Sequence, residues 1–154
     1  MLDGNAILVP DERGLPLRHV YVGDVARLVV QLVGSGEGIG RAYNISYGES
    51  MSLAELLPML ARLAERKLII ERVPRADLQR AGLLPHCSPF SGQWMSELDN
   101  TRSLAELGGA GIRYSSPEAY LPGIIEDYES RWRSGGIVPS GYDQRQKEND
   151  LSIA

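Results

Sequence analysis

Apolar and polar positions recur along this chain with two different periods, and the period indicates which element each stretch favours. Ala6-Ile7-Leu8-Val9 and Leu17 to Val22 are short apolar runs separated by Pro10-Asp11-Glu12-Arg13-Gly14, so a pair of strands is expected. Asp24 then stands where a helix N-cap belongs. Val25, Leu28, Val29, Leu32 and Val33 follow helical spacing, and Ala26 and Val30 widen the apolar surface until Gly34 and Gly36 end the run. That helix is expected to be largely buried.

Ala42-Tyr43-Asn44-Ile45 predicts a further strand. Ser52-Leu53-Ala54-Glu55 carries the capping-box spacing of a helix start, with Met51 placed to staple onto Leu56. Leu53, Leu56, Leu57, Leu60 and Ala64 continue the stripe, interrupted by Pro58, which removes a helix hydrogen bond. Leu68 to Val73 suits a short buried strand, and Pro74 opens a short helix toward Gly82. Residues 84–95 read as irregular. Asp99 is placed to cap a small helix carrying Leu104 and Leu107 and closed by Gly108-Gly109. Ser116-Pro117-Glu118 starts the last long helix, whose Tyr120, Leu121, Ile124, Ile125, Tyr128 and Trp132 share one face before Ser134-Gly135-Gly136. The expectation is a mixed α/β fold (α+β) over residues 1–136, with few short strands and packed helices, followed by a polar tail over 137–154 that packs weakly or moves.

Composition narrows the function. The chain has 154 residues, a formal net charge of -4 and 43% hydrophobic residues, which fits one ordinary domain and argues against a nucleic-acid partner. Basic residues from Arg62 to Arg80 are interleaved with Glu65, Glu71 and Asp77 and read as a solvated face. One cysteine, Cys87, permits no internal disulfide, and no charged-then-apolar leader precedes the first structured residues, so a cytoplasmic setting is expected. The most apolar run, Val25 to Val33, contains Arg27 and Gln31 and is shorter than the ~20 residues of a membrane span.

Candidate chemistry is sparse. Gly34-Ser35-Gly36-Glu37-Gly38-Ile39-Gly40 is glycine-rich but follows a helix and precedes a strand, the reverse of a phosphate-binding loop. His86 and Cys87 are sequence neighbours that point apart in an extended segment, and two histidines with one cysteine offer no paired metal-ligand spacing. No catalytic, cofactor-binding or metal-binding residue is assigned. The segment that stands out is Arg18-His19-Val20-Tyr21-Val22-Gly23-Asp24-Val25-Ala26, where Arg18 offers a planar donor fork suited to a phosphate or carboxylate.

That segment resembles the R-x-hydrophobic-x-H/Y-V-x-D-hydrophobic-A pattern of the NAD-dependent epimerase/dehydratase family, the extended short-chain dehydrogenase/reductases (SDR). In the family's order, Ala42-Tyr43-Asn44-Ile45 resembles its Y-N-I/V strand and Met51-Ser52-Leu53-Ala54-Glu55-Leu56 its S-hydrophobic-x-E-L helix. Leu98-Asp99-Asn100-Thr101-Arg102 with Leu104 to Gly108 resembles its D-x-S/T-K/R-x-x-x-x-L-G element. The resemblance implies the C-terminal, substrate-binding portion of an extended SDR fold, with the N-terminal Rossmann half missing. That half would bring the glycine-rich NAD loop and the Tyr-x-x-x-Lys pair. Tyr43, Tyr47, Tyr114, Tyr120, Tyr128 and Tyr142 all lack a lysine four residues later.

By the same resemblance Arg18 contacts the diphosphate of a nucleotide sugar. A second phosphate-binding arginine of relatives is replaced here by Pro89, which leaves the substrate open to other small anions. Tyr21, His86, Phe90 and Trp94 complete the expected substrate-binding set. NAD(P) is implied for a complete family member, with no cofactor held by this chain. The implied partner is an NAD-binding half, or else a second copy of the chain in a non-catalytic scaffold that forms a homo-oligomer. Epimerisation, dehydration and reduction all remain open as reactions.

Overall fold

The computed structural model describes residues 1, 3–11, 16–17, 19–36, 38–83, 98–107, 113–136 and 144–153. These form a mixed α/β arrangement of six helices and a two-stranded parallel sheet. In chain order the elements are β1 (Ile7–Pro10), α1 (Val22–Ser35), α2 (Leu53–Leu63), β2 (Ile70–Val73), α3 (Arg75–Arg80), α4 (Thr101–Leu107), α5 (Pro117–Arg133) and α6 (Arg145–Ile153). β1 and β2 pair with Ile7 beside Ile70 and Pro10 beside Val73. Val73, Leu78 and Leu83 form a small core under this sheet, with Leu8, Ala81 and Leu151 packed against it. Among the described residues no helix is long and apolar enough to cross a membrane.

Local signals place most helices. Glu55 reaches back to the Ser52 N–H and hydroxyl, both at 2.8 Å, and these bonds hold its carboxyl below the ordinary glutamate range. Asp99 accepts the Thr101 N–H at 2.9 Å at the start of α4. Pro117 sits in the first turn of α5, where no intrahelical bond is lost. Pro58 lies inside α2, but it and Ala54, whose carbonyl it leaves unmatched, are both exposed, so water can take the place of the missing N–H. The α2 helix packs against α5, and Arg66 of the turn after α2 meets Glu129 at 3.1 Å.

Six expectations are corrected. Among the described residues of 17–22 there is no strand: Pro16 makes an isolated antiparallel bridge with Ser52, and Val22 already opens α1. Asp24 is not the N-cap of α1, which is Tyr21; it lies one turn inside and is 2% exposed. Ala42 to Ile45 forms no strand either, because among the described residues no neighbouring strand reaches it. Side chains of α4 and the segment before it hold this stretch instead: Asn44 Nδ2 donates to the Asp99 carbonyl at 2.9 Å, and Arg41 and Tyr43 meet Glu106 at 2.9 and 2.8 Å. The Tyr43 and Arg41 bonds pull the Glu106 carboxyl down to about 2.

The fourth correction concerns β2, of which only Val73 is buried, since a two-stranded sheet leaves most of its edge residues wet. The fifth concerns the tail: its described residues 144–153 include the helix α6, which meets β1, while residues 137–143 lie outside the described residues. The helix expected to be largely buried, α1, seats Leu28 and Asp24 and leaves its opposite face bare.

Candidate functional site

A cleft of about 230 Å³ opens where Leu17 and His19 meet residues 46–52, lined by Leu17, Ser46, Tyr47, Gly48, Glu49, Ser50 and Leu98. Two backbone bonds close its base: the Leu17 N–H to the Met51 carbonyl at 2.8 Å, and the Tyr47 N–H to the His19 carbonyl at 3.0 Å. Asn100 Nδ2 braces the floor by donating to the Ser46 carbonyl at 2.9 Å. The His19 and Tyr47 rings lie 5.1 Å apart at a 41° tilt. His19 Nε2 is buried without a hydrogen-bond partner. Burial raises the Tyr47 phenol above its ordinary value, and the nearby Glu49 and Glu118 carboxylates raise it further, so it remains a proton donor.

The described lining offers groups suited to binding. Hydroxyls, one phenol and one carboxylate face a small volume between Leu17 and Leu98, which suits a ligand bearing hydroxyl groups. His19 makes no bond to a serine or cysteine among the described residues, so no activated nucleophile is assembled there. Groups of three or more His, Cys, Asp or Glu side chains able to hold a metal ion do not occur among the described residues.

Of the expected substrate-binding residues, Arg18, His86, Phe90 and Trp94 lie outside the described residues. Tyr21 is half-buried and stacks on Tyr120 at 5.0 Å and 8°, while its carbonyl accepts the Asp24 N–H at 2.9 Å to open α1. It does not line the cleft. The Tyr21 ring also excludes a side chain at residue 23, where a Cβ would stand 2.5 Å from its Cε1, so glycine is required by close approach.

Two features were not foreseen. Asp24 accepts the Ser115 N–H at 2.7 Å, the Ser115 hydroxyl at 2.9 Å and Arg27, tying α1 to the entry of α5. Its partner lies far along the chain, so local spacing suggested only a cap. The Tyr47-Gly48-Glu49-Ser50 turn has ordinary loop chemistry, and only its position opposite Leu17 makes it a cleft wall.

No family model, curated protein or solved structure matches the chain.

Among the described residues, the glycine-rich stretch after α1 does not build a cradle for a dinucleotide. The glycines after α1 form a helix exit, with Gly36 at φ +69° accepting the C-cap role and Gly40 at φ +71°, and residues 41–47 continue without a helix. Among the described residues the next helix along the chain, α2, begins only at Leu53, so the loop does not lead into a helix N-terminus.

Proposed function

We propose that this chain is the substrate-binding portion of an NAD-dependent epimerase/dehydratase-like enzyme, completed by a cofactor-binding portion that seats on the outer face of α1. One observation carries the reading. Val22, Val30 and Val33 are 74%, 73% and 80% exposed, and with Ala26 and Val29 they form a continuous valine-rich stripe along α1. Helical residues spaced by three and four share a face, so this stripe is one surface. A stripe of this composition in water marks an interaction site. The stretch Ala42 to Ile45, which resembles the family's Y-N-I/V strand, makes no ladder among the described residues, and a neighbouring strand from the other portion would supply one.

In this reading the 46–50 cleft receives the hydroxyl-bearing part of a small anionic substrate such as a nucleotide sugar. Arg18 supplies the cation for its phosphate or carboxylate, and His86, Phe90 and Trp94 close around it, with Tyr21 holding the seat of α1. NAD(P) and the proton-transfer residues belong to the other portion. The cleft's charged lining residue is Glu49, so anion recognition rests on Arg18. Replacing Arg18→Ala is expected to weaken binding of UDP-glucose, used as the probe in a chemical-shift titration, at least tenfold without loss of fold. Equal binding by both proteins contradicts the assignment.

The bare stripe also suits a second reading, a non-catalytic scaffold in which two copies cover each other's α1. That reading predicts a homo-oligomer without NAD affinity, whereas the enzyme reading predicts a second polypeptide segment with a glycine-rich NAD loop.

A further inference from the structure

β1 has two hydrogen-bonding edges. Its inner edge faces β2, with the Ile7 N–H bonded to the Ile69 carbonyl at 2.9 Å. Strand residues alternate in direction, so Ala6 and Leu8 turn their backbone groups outward. A parallel third strand would use one residue to donate to the Ala6 carbonyl and accept from the Leu8 N–H. Two α6 side chains make those same two bonds. Arg145 Nη1 donates to the Ala6 carbonyl at 2.8 Å, and Glu148 Oε1 accepts from the Leu8 N–H at 2.8 Å. Arg145 and Glu148 stand one helical turn apart and pair with each other at 2.5 Å. Asp3 holds the guanidinium from its other side at 2.6 and 3.0 Å. Ser152 bonds Glu71, and Leu151 packs on the small core.

We propose that α6 is a displaceable cover over a strand-accepting edge, and that the occupant it excludes is β1 of a second copy of this chain. Exposed edges of unpaired N–H and carbonyl groups recruit other strands unless they are blunted or covered. Residues 5–10, Asn-Ala-Ile-Leu-Val-Pro, carry no charge, so two copies meeting antiparallel at Leu8 bring no like charges together. Each would satisfy the other's Leu8 N–H. β2 differs, since Glu71 and Arg72 place charges along it. The hold of α6 on this edge rests on Asp3, Arg145 and Glu148 at one seam, so removing Arg145 and Glu148 uncovers the edge.

The test uses the full-length chain carrying Val30→Asp and Val33→Asp, which removes association through α1, with and without Arg145→Ala plus Glu148→Ala. Hydrogen exchange of the Leu8 amide is expected to accelerate at least tenfold in the Arg145/Glu148 variant. Sedimentation is expected to show dimers at concentrations where the parent stays monomeric. An excess of a synthetic peptide of residues 144–154 should restore both. Unchanged Leu8 exchange means that α6 is not the cover, and fast exchange without dimers means that the edge accepts no second copy; either overturns the proposal. Should the double variant unfold by circular dichroism, Glu148→Ala alone leaves Arg145 bound to Asp3 and Ala6 and decides by the same two readings.

Discussion

The outer face of α1 and the seam between α6 and β1 are opposites in chemistry. On α1, Val22, Val30 and Val33 project into water, at 74%, 73% and 80% exposed. At the α6 seam, Arg145 is only 13% exposed as a side chain and lies within bonding distance of Asp3, Glu148 and the Ala6 carbonyl. The apolar helix is the unsatisfied one and the polar helix is the docked one. Burial follows from whether a complementary surface exists, and directional bonds can supply it where apolar area is small.

The largest expected effect lies on the inner side of α1, which is anchored although its outer side is bare. Asp24→Ala removes the acceptor of the Ser115 N–H and hydroxyl and is expected to cost about 3 kcal/mol, the upper range for bonds to a buried charge. Urea unfolding should show a lower midpoint at unchanged slope. Next comes the seam: Arg145→Ala is expected to cost about 2 kcal/mol, because it strips Asp3, Glu148 and the Ala6 carbonyl of one shared donor.

A smaller effect follows from pH. The Arg145 bond lowers the Asp3 carboxyl to about 2, below its ordinary 3.8. A lowered carboxyl stabilises the folded state fully above its unfolded value, and that stability is lost as pH falls from about 4 toward 2. A carboxyl titration of Asp3 followed with the Leu8 amide should show the seam loosening across that window, and a midpoint near 3.8 would mean that the pair contributes nothing. The smallest effect is on the bare face, where Val30→Asp should change stability by no more than about 0.5 kcal/mol. A loss of several kcal/mol there would mean that the face is covered within this chain.

How much of this was legible follows the same contrast. α2, α3, α4 and α5 begin at Ser52, Pro74, Asp99 and Ser116-Pro117, where a local hydrogen bond or a fixed proline φ acts within one turn. β1 and β2 were legible as apolar runs. The strands expected at residues 17–22 and 42–45 were not realised, because strand character requires a neighbour, and sequence pattern does not state whether the neighbour is present. Periodicity identified the apolar side of α1 but not that it would lack a partner. It missed α6 altogether, since Arg145 and Glu148 dock through two backbone groups some 140 residues away. The cleft was hidden for the same reason, as Leu17 and Ser46 to Ser50 meet only in the folded chain.

The most direct test is native mass spectrometry of the tagged protein purified from its own host, alongside the Val30→Asp/Val33→Asp variant. The account predicts a species heavier than 16.9 kDa by a polypeptide segment bearing a glycine-rich NAD loop, with NAD held in the complex. Where that segment is a separate chain, the variant should lose it while staying folded. A species at 16.9 kDa or whole multiples of it, carrying no nucleotide, would contradict the account and leave the self-covering scaffold in its place.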